Sequence, residues 1–129
     1  MKKTLLVVDD EPAIRLILAH YFGDDYYVTL TSNGQEALEW LNTNPTPDAI
    51  IADYEMPVMD GLAFIKQQRA NPATCHTPLL MLSGRTETHH KIQCLKHGAD
   101  DYVIKPFNPE ELELRIQKLL LRNQMTPTV

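Results

Sequence analysis

Three carboxylates, a hydroxyl and an ammonium stand where short apolar runs end. Asp9 and Asp10 follow residues 5–8, Asp53 follows 49–52, Ser83 follows 79–82, and Lys105 follows 102–104. Carboxylates brought close together repel one another and rise in pKa unless a cation intervenes. A hard divalent ion with oxygen ligands removes that conflict. Mg2+ (or Mn2+) suits such a site, because it needs few protein carboxylates and keeps several waters. The ion and Lys105 together would neutralise a phosphoryl group, and Ser83 could donate a hydrogen bond to it. Asp53, on a run of its own, is the candidate nucleophile. Each residue has an ordinary reading when taken alone: Asp9-Asp10 ahead of Pro12 suits a helix N-terminus, an Asp after a strand is a common loop residue, and a lysine is usually at the surface. The distinguishing feature is that complementary types fall at separate run ends.

The runs themselves say how these residues are carried. Residues 5–8, 49–52 and 79–82 lack polar alternation, as strands covered on both faces do. Residues 27–31 alternate and read as an edge strand, and residues 102–104 make a fifth strand. Between them lie helical patterns. Ile14, Ile17, Leu18 and Tyr21 share one helical face, and Leu112, Ile116, Leu119 and Leu120 repeat the pattern near the end. Pro12 suits a first helical turn and Gly23 its close. Asn33 with Glu36, and Asn108 with Pro109 and Glu111, resemble capping boxes, and Gly98 is a stop for a helix over 86–97. Strands alternating with helices imply an α/β fold, a parallel sheet with five strands and five helices on its two faces. In such a sheet ligands bind beyond the carboxyl ends of the strands, where the five chemical residues stand.

At 129 residues, 43% hydrophobic and 22% charged, the chain is one globular domain in size and composition. Lys plus Arg is 12 and Asp plus Glu is 17, a net charge of −5, which argues against nucleic-acid binding by bulk charge. No apolar run reaches the length of a membrane span, and residues 5–8 are too short for a signal-peptide core. Cys75 and Cys94 do not make a disulfide framework. A reduced, cytoplasmic setting without membrane partners is the expectation.

The chain resembles the receiver domains of two-component response regulators. The resemblance rests on Val7-Val8-Asp9-Asp10-Glu11, Asp53-Tyr54-Glu55-Met56-Pro57-Val58-Met59-Asp60-Gly61, Met81-Leu82-Ser83-Gly84 and Gly98-Ala99-Asp100-Asp101-Tyr102-Val103-Ile104-Lys105-Pro106-Phe107, in family order and spacing. It implies a doubly wound, flavodoxin-like sheet of order 2-1-3-4-5. The receiver would occupy residues 1–122, leaving 123–129 as a tail or the start of a linker to a missing effector domain. The resemblance further implies that Asp53 accepts phosphate from a histidine kinase or phosphotransfer protein. Asp10 and Asp53 would ligate Mg2+ directly, Asp9 through water, and Glu55 by its backbone carbonyl. Lys105 would contact the phosphoryl group ahead of a cis Pro106, and the only chemistry would be self-directed phosphotransfer and autodephosphorylation. Ser83 and Tyr102 would be the switch pair: Ser83 moves to the phosphate and Tyr102 fills the vacated space, reshaping the face of the fourth helix, fifth strand and fifth helix. In the resting state Tyr102 is expected to pack, half-buried, on the fifth helix.

That face carries Lys91, Asp100, Asp101, Glu111, Arg115 and Arg122, charges suited to a phosphorylation-dependent, two-fold homodimer or to a solvated surface. Gly84 leaves room above the phosphoryl position, and Glu55 adds a carboxylate beside it. His90, Cys94 and His97, at helical spacing opposite Ile92 and Leu95, read as surface residues without a fourth metal ligand. Two other functions compete with the switch. A receiver-fold binding module that works without phosphorylation would not need the five residues intact. A phosphohydrolase would place Asp where Glu55 stands.

Overall fold

The computed structural model describes residues 2–125. The chain alternates β1 (Lys3–Val8), α1 (Pro12–Phe22), β2 (Tyr26–Thr31), α2 (Gly34–Thr43), β3 (Ala49–Asp53), α3 (Gly61–Ala70), β4 (Leu79–Ser83), α4 (Thr88–Lys96), β5 (Asp101–Ile104) and α5 (Pro109–Met125). The strands form one sheet in the order β2-β1-β3-β4-β5, and every pairing is parallel. β2 is an edge strand, as its alternation predicts. Strand order reverses between β1 and β3, so the crossovers on either side diverge and leave a crevice above these two strands. Among the described residues, no helix is long and apolar enough to cross a membrane.

Because strand side chains alternate between faces, the sheet divides the core. Leu5, Val7, Ala49, Ile51, Leu80, Leu82 and Val103 face α1 and α5, meeting Leu18, Phe22, Leu112, Ile116 and Leu119. Leu6, Val8, Ile50, Ala52, Leu79, Met81 and Tyr102 face the other way, toward Ala37 and Leu41 of α2, Phe64 and Ile65 of α3, and Cys94 of α4.

Several local expectations need correction. In α1 the inner stripe runs through Ile14, Leu18 and Phe22, while Ile17 is 45% exposed. α4 begins two residues later than expected, at Thr88, and turns Cys94 inward while Ile92 and Leu95 face solvent. Cys94 is therefore not a surface residue, and its burial pushes the thiol pKa up to about 11. α5 continues to Met125, so residues 123–125, expected as tail, extend the helix; residues 126–129 lie outside the described residues. At α2, Asn33 Oδ1 accepts the Glu36 N–H at 2.8 Å, but Glu36 reaches back to the N–H of Ser32 rather than of Asn33. At α5 Asn108 accepts from Glu110 and Glu111 N–H, the first half of the expected box, while the Glu111 carboxylate turns to Arg115.

Arg69, near the end of α3, ties three segments together. Its guanidinium donates to the carbonyls of Cys75 and Thr77 ahead of β4 and of Gly98 after α4, and bonds Asp100 at 3.0 Å. Gly98 has φ +120°, and a Cβ there would lie 2.8 Å from the Arg69 side chain, so glycine is required on both counts. Arg69→Ala would strip a charged donor from three carbonyls. It is expected to lower unfolding free energy by about 2 kcal/mol, read as a lower urea midpoint at unchanged m-value. Arg69→Lys should not rescue it, because an ammonium cannot reproduce the fork.

Val58 lies in the left-handed region at φ 71°, at the centre of a γ-turn closed by Met59 N–H to Pro57 O at 2.7 Å. That conformation is strained for a β-branched residue. Val58 is also 83% exposed, so no packing opposes its removal. Val58→Gly is expected to raise stability by about 1 kcal/mol, visible as a higher thermal midpoint.

Candidate metal and phosphoryl-acceptor site

The carboxyl ends of β1 and β3 deliver the two acids that face each other across the crevice. Asp53 is the last residue of β3, and Asp9 follows β1; each is 1% exposed. Asp9 is held in place, its Oδ1 accepting the Glu11 N–H at 2.9 Å. One ligand atom each from Asp9, Asp10, Glu11 and Asp53 can be chosen so that all lie within 4.8 Å of one another. The Glu11 carboxylate joins this cluster although its residue type and spacing do not single it out. Its place beside Asp9-Asp10 is the one signal the sequence offers.

Lys105 supplies the counter-charge from the end of β5, ahead of a cis Lys105–Pro106 bond. Its Nζ lies 3.1 Å from Asp53, 3.3 Å from Asp9 and 3.1 Å from Glu11. Burial alone would depress the ammonium pKa, but Asp53 and Asp9 reverse this and hold Lys105 firmly charged. One ammonium is not enough for the carboxylates. Burial, and then the neighbouring Asp9, push the Asp53 pKa up to about 7 despite Lys105. Burial likewise raises Asp9.

Beyond the ion pair with Lys105, neither Asp53 oxygen accepts a hydrogen bond. Buried carboxylate oxygens are normally satisfied, so this pair has acceptor capacity left over for a ligand. Oxygen-only donors, an excess of negative charge and two oxygens without a hydrogen bond fit a hard divalent ion such as Mg2+. The backbone requirement beside the site is also met. Gly61 donates its N–H to Tyr54 O at 2.8 Å, and a Cβ there would come within 2.7 Å of the Tyr54 backbone.

Ser83 ends β4 and is fully buried. Its hydroxyl donates to Glu55 Oε1 at 3.2 Å and accepts the Arg85 N–H at 2.9 Å. A Cβ added at Gly84 would meet nothing within 4 Å, so the expected room is there. Tyr102 departs from expectation. It is only 6% exposed and packs on the α4 side of the sheet, not against α5, because its position in β5 points that way. Its hydroxyl donates to Arg85 O at 2.9 Å.

The charged face lies further off. Arg115 pairs with Asp101 at 3.0 Å and reaches Glu111 at 3.6 Å, and Arg122 lies 3.5 Å from Asp100. Lys91 is exposed on α4. A hollow of about 620 Å3 lies between these pairs, lined by Asp100, Asp101, Glu111, Arg115 and Arg122 among others. Among the described residues, the acidic cluster is the one group of His, Cys, Asp or Glu close enough to share an ion; His90, Cys94 and His97 do not form another.

Known proteins share this arrangement. The family model described as "Response regulator receiver domain" matches residues 5–117. The transcriptional regulatory protein SrrA of Staphylococcus aureus is 37% identical over 127 residues, covering 98% of this chain and 51% of SrrA. The chain thus spans about half the length of the curated relatives it matches. The receiver domain of a Francisella response regulator superposes with a TM-score of 0.86 at 36% identity, covering 94% of this chain and 98% of that one. The receiver domain of a Pseudomonas aeruginosa sensor histidine kinase, whose structure has a magnesium ion coordinated in the active site cleft, superposes at 0.84 with 27% identity, over 93% and 98%. Sheet order, acidic crevice and sequence match agree, and the chain belongs to the receiver domains of two-component response regulators.

Proposed function

We propose that the domain is a phosphorylation-activated switch in which Asp53 takes a phosphoryl group from a histidine kinase or histidine phosphotransfer protein. The observation that carries this reading is the buried Asp53 carboxylate, without a hydrogen bond, at a sheet edge lined by Asp9, Asp10 and Lys105. An Asp53 oxygen attacks phosphorus as the bond to the donor nitrogen breaks, giving an acyl phosphate. Asp10 and Asp53 would hold Mg2+ directly and Asp9 through water, with the Glu55 carbonyl beside them. The ion would supply charge neutralisation for the transferring group. Lys105 neutralises a second edge of the phosphoryl group, and Ser83 donates to it. The chemistry is confined to the domain's own phosphoryl group, its gain and its hydrolysis, so the domain is a signalling element rather than an enzyme acting on other molecules.

Phosphorylation adds negative charge and strong acceptors. Bonds from Ser83 and Lys105 worth about 1.5–3 kcal/mol each are of the size needed to invert a two-state population, about 5.5 kcal/mol. The output is read at the α4-β5-α5 face, in a cytoplasmic setting, and passed to an effector other than this domain. At −5 the domain itself is poorly suited to nucleic acid. A homodimer through this face would have to exchange the Asp101–Arg115 and Asp100–Arg122 pairs, now made within one chain, for pairs between chains.

The test is incubation with a small acyl phosphate and Mg2+, followed by intact-protein mass. One phosphoryl adduct is expected, absent in Asp53→Asn and when the divalent ion is chelated. Absence of any adduct, with partner binding unaltered in Asp53→Asn, would favour a binding module that works without phosphorylation.

A further inference from the structure

Both members of the switch pair are engaged by groups of the protein itself. The Ser83 hydroxyl has one proton to give, and it goes to a carboxylate, Glu55 Oε1, at 3.2 Å. Arg85 joins the two: its N–H donates to Ser83 Oγ at 2.9 Å, and its guanidinium Nε lies 3.4 Å from the same Glu55 oxygen. The Arg85 carbonyl in turn accepts the Tyr102 hydroxyl at 2.9 Å. Glu55, Ser83, Arg85 and Tyr102 therefore form a continuous chain of bonds from the rim of the phosphoryl site to the core, and Tyr102 at its end is 6% exposed.

We infer that the Glu55 side chain is a positioning residue that stands in for a phosphoryl oxygen: it holds Ser83, and through Arg85 holds Tyr102, in the buried arrangement before any phosphate arrives. An incoming phosphoryl group takes over the Ser83 hydroxyl from Glu55. The switch is biased toward its Tyr102-buried state at rest, and phosphorylation replaces one anionic acceptor with a stronger one. This rests on the phosphoacceptor reading of Asp53, but only for the second half of the exchange.

The test uses fluorotyrosine placed at Tyr102 in the whole chain, read by fluorine NMR with and without Mg2+ and beryllofluoride, a phosphoryl mimic. In the unmodified protein the resonance should be mainly that of a buried ring at rest and wholly so with beryllofluoride. Glu55→Ala should shift the resting population toward exposed ring by roughly three- to tenfold, the effect of losing one ordinary hydrogen bond to a partly exposed acceptor, and beryllofluoride should restore burial. Glu55→Gln keeps an acceptor oxygen and should rescue most of the effect, which a merely electrostatic role of the carboxylate would not allow. An unchanged Tyr102 resonance in Glu55→Ala overturns the inference. An exposed ring in Glu55→Ala that beryllofluoride fails to bury supports the role of Glu55 and instead overturns the phosphoacceptor reading.

Discussion

Asp53→Asn is expected to stabilise the chain at pH 8 in the absence of divalent cation while abolishing phosphoryl uptake. The Asp53 pKa stands at about 7, against about 3.9 for an ordinary Asp. A carboxyl whose pKa is raised on folding contributes stability that is fully present below the unfolded value. It is lost as pH rises through the folded one. Between about pH 4 and 7, therefore, the unmodified chain should lose stability, and above pH 7 it carries an under-compensated buried charge. Removing that charge is expected to return roughly 1–3 kcal/mol, less than the full shift implies because the new amide also lacks partners. Urea midpoints at pH 5 and pH 8 decide the matter. The two proteins should differ at pH 8 and converge at pH 5, and Mg2+ should raise the midpoint of the unmodified chain at pH 8 but hardly that of Asp53→Asn. Parallel curves over the whole range would show that Asp53 does not carry the strain assigned to it.

Lys105→Met is expected to act in the opposite sense and as strongly. Methionine matches the lysine stem in bulk, so the change removes mainly the ammonium. Asp53, Asp9 and Glu11 then lose their shared cation. Breaking a buried ion pair from one side costs about 3–5 kcal/mol, but here the acids can answer by taking up protons. We therefore expect a loss of about 2–3 kcal/mol at pH 8, shrinking below about 1 kcal/mol at pH 5, where Asp53 is already protonated. Mg2+ should rescue stability in Lys105→Met more than in the unmodified chain, since the ion would then face no competing ammonium. Phosphoryl uptake would still fall steeply, because the mobile group loses its second positive contact. A loss of equal size at both pH values would mean that Lys105 acts by packing alone.

The strand ends are readable because a parallel sheet leaves few choices: short apolar runs separated by helical patterns read as buried strands, and in a parallel sheet the residues after them lie at one edge. Asp9, Asp53, Ser83 and Lys105 are legible for that reason. Helix faces are less so. In α4, Ile92 and Leu95 look like the inner stripe and Cys94 like an outer residue, yet the reverse is found. A short helix has two near-equivalent apolar sides, and the crossover geometry from β4 to β5 decides which one meets the sheet. Tyr102 departs for a simpler reason. Its side of β5 is set by parity along the strand, and Val103, not Tyr102, faces α5. The contacts made by Arg69 and by the Glu55 carboxylate join segments far apart in the chain, and no local spacing foretells them.

The partition of the core by the sheet gives the molecule two sides with separate duties. Tyr102 and the α4 contacts belong wholly to the side shared by α2, α3 and α4, whereas Leu18, Phe22, Leu112 and Ile116 belong to the side of α1 and α5. The strand backbones stand between them as a partition of fixed hydrogen bonds. Helix residues on opposite sides, such as Leu18 and Phe64, belong to separate clusters, so the effects of substituting them should add. The buried α1–α5 core can therefore be retuned for thermal durability with little effect on the packing around Tyr102, whereas the outer surface of α5, which carries Arg115 and Arg122, cannot be changed so freely.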